Sequence, residues 1–281
     1  MKAIFFVLFL FPINSFCQLT DAYVDKSSQT SMQIIERQGI KKLFTASAFL
    51  INVRNHLYLI TNNHVAGEEF ARNEHLNRFK TNLPNDSIPN NFLVKCYTNV
   101  YGQYSENEIR IRKKSGDFVG IKFWDNDKDS STLLDIVAIP VLPGELPGKL
   151  TWYDSSYLNS SINLYPGLDV FVVGFPSDSG IVYPLPIWKR GTIASEPDLI
   201  NVGSSRFYID ATTRGGMSGS PVVFRGNSAV DKSGDVVTMI STTGGIPTLL
   251  IGIYSAQQYN LELGVVTRLD KIYTKLKDMN P

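Results

Sequence analysis

The chain has 281 residues, of which 43% are hydrophobic and 19% charged, enough for a large core and too apolar for wholesale disorder. A formal net charge of +1 gives no electrostatic drive toward nucleic acid or an anionic membrane. Three histidines and two cysteines leave little for a multi-ligand metal site or a disulfide framework, and no metal or cofactor is expected.

Residues 1–17 read as an address. Lys2 gives a positive start, Ala3 to Phe11 an unbroken apolar run, and Pro12 and Asn14 break it ahead of Ser15-Phe16-Cys17. The run is too short for a bilayer, which needs about 20 residues. The pattern predicts a secretory signal cut after Cys17, hence a secreted or periplasmic protein with no membrane contact after signal removal. A buried N-terminal strand is one alternative. Lipidation of Cys17 is another, and the bulky Phe16 before it argues against that. Removal takes Lys2 and no acid, so the mature chain is formally neutral and keeps Cys96 as its one thiol.

Residues 18–40 are polar and irregular, a candidate propeptide or arm, with one short amphipathic stretch at Met32, Ile34 and Ile35. Residues 41–281 carry the rest of the organisation. Runs rich in Val, Ile, Phe and Tyr predict strands over 43–53, 57–61, 92–100, 108–112, 118–124, 136–141, 170–175, 207–211, 221–224, 236–241 and 249–254. Gly, Pro, Asn and Asp separate them. Polar insertions fall at 67–90 and 101–117. Near the end, Val265, Leu269, Ile272, Tyr273 and Leu276 recur at three-to-four spacing and predict an amphipathic helix over 265–279. Many short strands with turn signals make the fold all-β, a sandwich or a pair of barrels. Trp124, Trp152 and Trp188 read as packing residues. His56 and His75 read as surface residues, and His64 and His75 have no recognised metal-ligand spacing.

Three short segments carry the chemistry. In Tyr58-Leu-Ile-Thr-Asn-Asn-His64 an apolar strand delivers a histidine to its polar end, fixed yet partly exposed, as a general base must be. Such a histidine is also commonly structural. In Leu133-Leu-Asp135-Ile-Val-Ala a carboxylate opens a very apolar run and must be hydrogen-bonded there. A strand-entry Asp bonding nearby amides would look the same, and Asp125, Asp127 and Asp129 are rivals in a turn-like stretch. In Thr212-Thr-Arg-Gly215-Gly216-Met217-Ser218-Gly219-Ser220-Pro221, glycines bracket one serine. Glycine lets a ligand approach the main chain, so two N–H groups can aim at one oxygen. A simple Gly-Ser turn is the bland alternative. Chain order narrows the choice. No histidine follows Ser218, which excludes the α/β-hydrolase order. The order His64, Asp135, Ser218 is that of the all-β nucleophile fold.

The blocks Thr61-Asn-Asn-His64-Val, Asp135-Ile-Val-Ala and Gly216-Met-Ser218-Gly-Ser-Pro221 resemble the His, Asp and Ser blocks of trypsin-like (chymotrypsin-fold) serine proteases, closest to the bacterial branch with glutamyl endopeptidases. The resemblance spans roughly residues 40–275. It implies two six-stranded antiparallel β-barrels, about 41–150 and 151–264, with the site between them and a closing helix. It implies a secreted serine endopeptidase acting on polypeptides, expected as a monomer. Ser218 would be the nucleophile, His64 the base, Asp135 its orienting partner, and the Gly216 and Ser218 amides an oxyanion hole. Gly252-Ile-Tyr-Ser255 resembles the strand that lines the specificity pocket and pairs with substrate backbone. That pocket would be formed by Thr212, Thr213, Tyr254, Ser255, Ala256 and Gln257. Thr213 matches the glutamyl enzymes, but Tyr254 replaces their pocket histidine. Its hydroxyl and that of Thr213 would bind a polar or acidic side chain, or Tyr254 would fill the pocket. With Thr212 at the pocket base, Arg/Lys specificity is not expected. Met217 replaces the Asp that pairs with a new N-terminus in animal zymogens, so that switch is not expected. A protease-like binding or scaffold module, its cleft closed by Ala256, Gln257 and the insertions, is the alternative function; an esterase is a third.

Overall fold

The computed structural model describes residues 24–67, 88–97, 104–124, 133–146, 150–158, 162–177, 185–197, 205–241, 245–258 and 260–278. The expected signal segment, His75, Asp125, Asp127 and Asp129 lie outside the described residues.

Seven strands form the first sheet: β1 (Ser31–Gln38), β2 (Lys41–Val53), β3 (His56–Thr61), β4 (Asn91–Tyr97), β5 (Tyr104–Arg110), β6 (Ile121–Trp124) and β7 (Leu133–Val141). Their order is β5-β4-β1-β2-β3-β7-β6. The second half holds β8 (Asp169–Gly174), β9 (Ile187–Ile193), β10 (Arg206–Asp210), β11 (Pro221–Arg225), β12 (Ser228–Val230), β13 (Val236–Thr238), β14 (Thr248–Gln258) and β15 (Leu263–Arg268). Six of these close into a barrel, β10-β15-β14-β11-β8-β9, and β12 pairs with β13 apart from it. A short helix α1 (Lys26–Thr30) precedes β1, and α2 (Asp270–Asp278) ends the chain.

The two-residue period of β-strands explains how the halves dock. In β2, Ala46, Ala48 and Leu50 face one core, shared with Leu59, Val137 and Ile139 inside the first sheet. The alternate residues Phe49, Ile51 and Val53 face a second core with Ile60, Ile136 and Ala138. Val173 of β8, Val223 of β11 and Ile253 of β14 enter that same second core, as do Leu269, Ile272 and Leu276 at α2. Their neighbours Val172, Val222 and Ile251 fill the closed barrel. Strands buried on both faces thus bind sheet, barrel and helix into one body.

Three expectations need correction. The first half is a seven-stranded sheet, not a closed six-stranded barrel. Among the described residues its outer strands β5 and β6 do not pair; the segment joining them folds on itself through the isolated bridge Arg112↔Phe118 and the bond from Val119 N to Ile111 O. The helix expected from residue 265 starts at Asp270. Val265 and Val266 lie in β15, because adjacent β-branched residues favour a strand and the barrel offers β10 and β14 as partners on either side. The boundary at residue 41 also moves. β1 pairs with both β2 and β4, so residues 31–38 belong inside the sheet. Residues 25–30 reach across to the barrel as well: Asp25 is 2.9 Å from Arg225, and Trp188 Nε1 donates to Ser28 Oγ at 2.8 Å. Trp188 also stacks edge-on against Phe171, while Trp152 stays 37% exposed. His56 is exposed and Cys96 is buried.

Candidate active site

β3 ends at Thr61, whose hydroxyl donates to the Ser47 carbonyl at 2.9 Å. The chain then turns: Ala66 N–H is accepted by Asn62 O and Asn63 O, and Gly67 N–H by His64 O. This turn presents His64 to Asp135 of β7. His64 N–H donates to Asp135 Oδ1 at 3.1 Å, and its ring Nδ1 lies 2.9 Å from Oδ2. A carboxylate only accepts, so the proton of the neutral ring sits on Nδ1. Asp135's side chain is 1% exposed and the His64 ring 15%. Burial works against charging the imidazole, yet the Asp135 charge and hydrogen bond, with the Glu36 charge, together raise its pKa above the ordinary value. Asn62 Nδ2 completes this corner, donating to Asp135 O at 2.7 Å and to Ser255 Oγ at 3.3 Å.

Ser218 lies in the loop between β10 and β11. Gly216 and Gly219 hold φ of +88° and +85°, the left-handed region. A Cβ on Gly216 would lie 2.4 Å from Phe175 O, and one on Gly219 2.0 Å from Ser47 O, so both positions require glycine. Every carbonyl from Arg214 to Ser218 accepts a hydrogen bond, donated by Met217 N, Ser177 N, Ser47 Oγ, Ser220 N and Ser47 N in turn. The amides of Gly216 and Ser218, by contrast, meet no acceptor among the described residues. Amides left without acceptors in a loop whose carbonyls are all engaged can donate to a negatively charged oxygen brought to them.

The Ser218 hydroxyl donates to the Ser255 carbonyl at 3.2 Å and not to His64. Ser255 is in turn bonded by Asn62, and Asn62 by Asp135. A continuous chain of contacts therefore runs Ser218, Ser255, Asn62, Asp135, His64, bringing together residues far apart in sequence. Contacts of this kind commonly tighten only when substrate is bound.

The structure places the other expected residues as follows. Thr213 and Tyr254 are buried and share a hydroxyl–hydroxyl hydrogen bond. Thr212 is exposed, and Ala256 and Gln257 are half-buried. Ser255 is buried, its Oγ also 3.3 Å from Thr267 Oγ1. Met217 is 2% exposed in the barrel core. Among the described residues no group of three His, Cys, Asp or Glu side chains could hold a metal.

Family comparison joins this geometry. A family model described as "Trypsin-like peptidase domain" matches residues 46–237. The chain belongs to this family. No curated protein matches this trypsin-like peptidase chain. Among solved structures, the serine endoprotease from Yersinia pestis is similar at 15% identity and a TM-score of 0.47, covering 90% of this chain. The chain spans 65% of that protein's length. The Rv3671c protease of M. tuberculosis H37Rv, in its inactive form, is similar at 15% identity and a TM-score of 0.46, covering 91% of each chain.

Three residues beside this candidate site are not among those the sequence assigns a role. Ser47 ties β2 to the Ser218 loop, and Asn62 bridges Asp135 to Ser255. Glu36 sits on β1 at the bulge between Ile35 and Arg37, 7% exposed. Burial pushes its carboxyl up to about 8, while the His64 charge pulls it down. An acid breaking the apolar stretch Met32, Ile34, Ile35 was the one available hint of Glu36.

Proposed function

We propose that the chain is a secreted serine endopeptidase working through Ser218, His64 and Asp135. The observation that carries the reading is the His64–Asp135 pair connected through Asn62 and Ser255 to a serine whose loop leaves two amides without acceptors. Ser218 Oγ attacks the scissile carbonyl as His64 Nε2 takes its proton. Asp135 holds the Nδ1–H tautomer and stabilises the imidazolium. The Gly216 and Ser218 amides receive the developing oxyanion. His64 then protonates the leaving amine, and water releases the acyl-enzyme by the same steps in reverse roles. Residues 1–17 are the export signal in this reading, and the mature enzyme acts as a monomer. The Ser block and Thr213 align it with the glutamyl endopeptidase branch. Incubation with an unfolded protein, with products read by mass spectrometry, tests the activity. Wild type should cleave, Ser218→Ala should not, and Asp135→Asn should be slower by about 10⁴-fold. Folded wild-type protein that cleaves nothing would refute the proposal.

A further inference from the structure

A carbonyl carbon held against Ser218 Oγ, with its oxygen at the Gly216 and Ser218 amides, leaves its own side chain little choice of direction. Ser47 closes one side of the loop through its bonds to the Gly216 and Ser218 carbonyls. On the other side, Ser218 Oγ lies on the Ser255 carbonyl. On the peptidase reading, the side chain on the acyl side of the bond enters between the 212–217 segment and the 254–257 segment of β14.

That gap is closed inside. Thr213 belongs to one wall and Tyr254 to the other, and their hydroxyls are bonded to each other. The two residues are 7% and 2% exposed. The Tyr254 ring packs in the barrel core with Met217, Ile209 and Val266. It covers Gly264 so closely that a Cβ there would fall 2.8 Å from its ring carbon. Backbone bonds hold Tyr254 in place on both sides, from Gly219 N to its carbonyl and from its own N–H to Ser220 O, each 2.9 Å. Arg214, next in the loop, is exposed, and a carboxylate entering here would give up its water and have to displace the buried hydroxyl pair.

We propose that the Thr213–Tyr254 bridge is the floor of a shallow acyl-side pocket, that Tyr254 determines specificity, and that the enzyme cleaves after small side chains such as glycine, alanine and serine. This rests on the peptidase reading above and goes against the acidic preference that Thr213 alone would suggest. The test is a panel of peptide substrates differing only at the acyl-side residue (Ala, Ser, Phe, Glu, Lys), with active Ser218 counted by fluorophosphonate titration. Wild type should favour Ala and Ser over Phe and Glu by about 100-fold in kcat/KM, the scale of discrimination by pocket volume. Tyr254→Ala should raise Phe relative to Ala by at least about tenfold. Tyr254→Phe, which keeps the ring and loses the hydroxyl, should keep the small-residue preference. Titratable wild-type enzyme that prefers Phe, Glu or Lys, or that cleaves none of the panel, would overturn this inference alone, even if Tyr254→Ala failed to fold. Protein that neither titrates nor cleaves would sink the peptidase reading itself.

Discussion

Ser47→Ala removes one hydroxyl and leaves two buried groups without partners. Ser47 is fully buried; its Oγ donates to Gly216 O at 2.8 Å and accepts from Phe175 N–H at 3.0 Å. Each orphaned group costs about 1–3 kcal/mol. Allowing for some relaxation, the fold should lose roughly 2–4 kcal/mol, which in a protein of this size lowers Tm by about 5–15 °C. A second effect falls on catalysis. The Gly216 carbonyl belongs to the peptide unit that lies between the Gly216 and Ser218 amides, and once it is released the loop no longer holds those amides in place. Loss of one such donor costs about 10²–10³ in kcat. The assay pairs thermal denaturation with steady-state kinetics at a temperature where both proteins are folded. The expected result is a lower Tm with kcat reduced and KM little changed. A lower Tm with full kcat would show that Ser47 merely supports the fold. An unchanged Tm would refute the hydrogen-bond reasoning altogether.

Glu36 makes stability depend on pH in a defined direction. Its carboxyl rises from an ordinary 4.5 to about 8 on folding, so the folded chain holds a proton the unfolded chain has lost between those values. Stability should therefore fall by about 1.4 kcal/mol per pH unit as pH rises through that window. Denaturant unfolding at pH 5, 6, 7 and 8 should show this slope in wild type and a flatter one in Glu36→Gln; equal slopes would contradict it. The N-terminal segment gives another prediction. A chain beginning at residue 24 should fold and one beginning at 41 should not, because the latter lacks β1, which is hydrogen-bonded to both β2 and β4. A cooperative thermal transition for the shorter chain would show that residues 24–40 are dispensable.

Local patterns in the sequence reached most of the site because each block is written in a few consecutive residues. An apolar strand running into Asn62-Asn63-His64, an acid opening Ile136-Val137-Ala138, and glycines around Ser218 each express a backbone requirement that a short window shows. What remained hidden depends on residues far apart. β1 was hidden because its buried positions include Ser31 and Glu36 and because a bulge interrupts its alternation. Val265, Leu269 and Ile272 satisfy helical spacing, yet Val265 pairs with Tyr208 in a strand before the helix begins. The sheet's failure to close is a matter of pairing across β5 and β6, which periodicity does not encode. Ser47 has the look of any small strand residue; only the Gly216 carbonyl gives it a task. The bond between the Thr213 and Tyr254 hydroxyls joins residues 41 apart, which no local window of sequence shows.

The most direct trial of the whole account is covalent: treat the folded, purified chain with a fluorophosphonate at neutral pH and locate the adduct by mass spectrometry. One adduct per chain on Ser218, absent from Ser218→Ala and formed far more slowly in His64→Ala, is the predicted result. A folded chain that takes no label, or one labelled just as fast without His64, would contradict it.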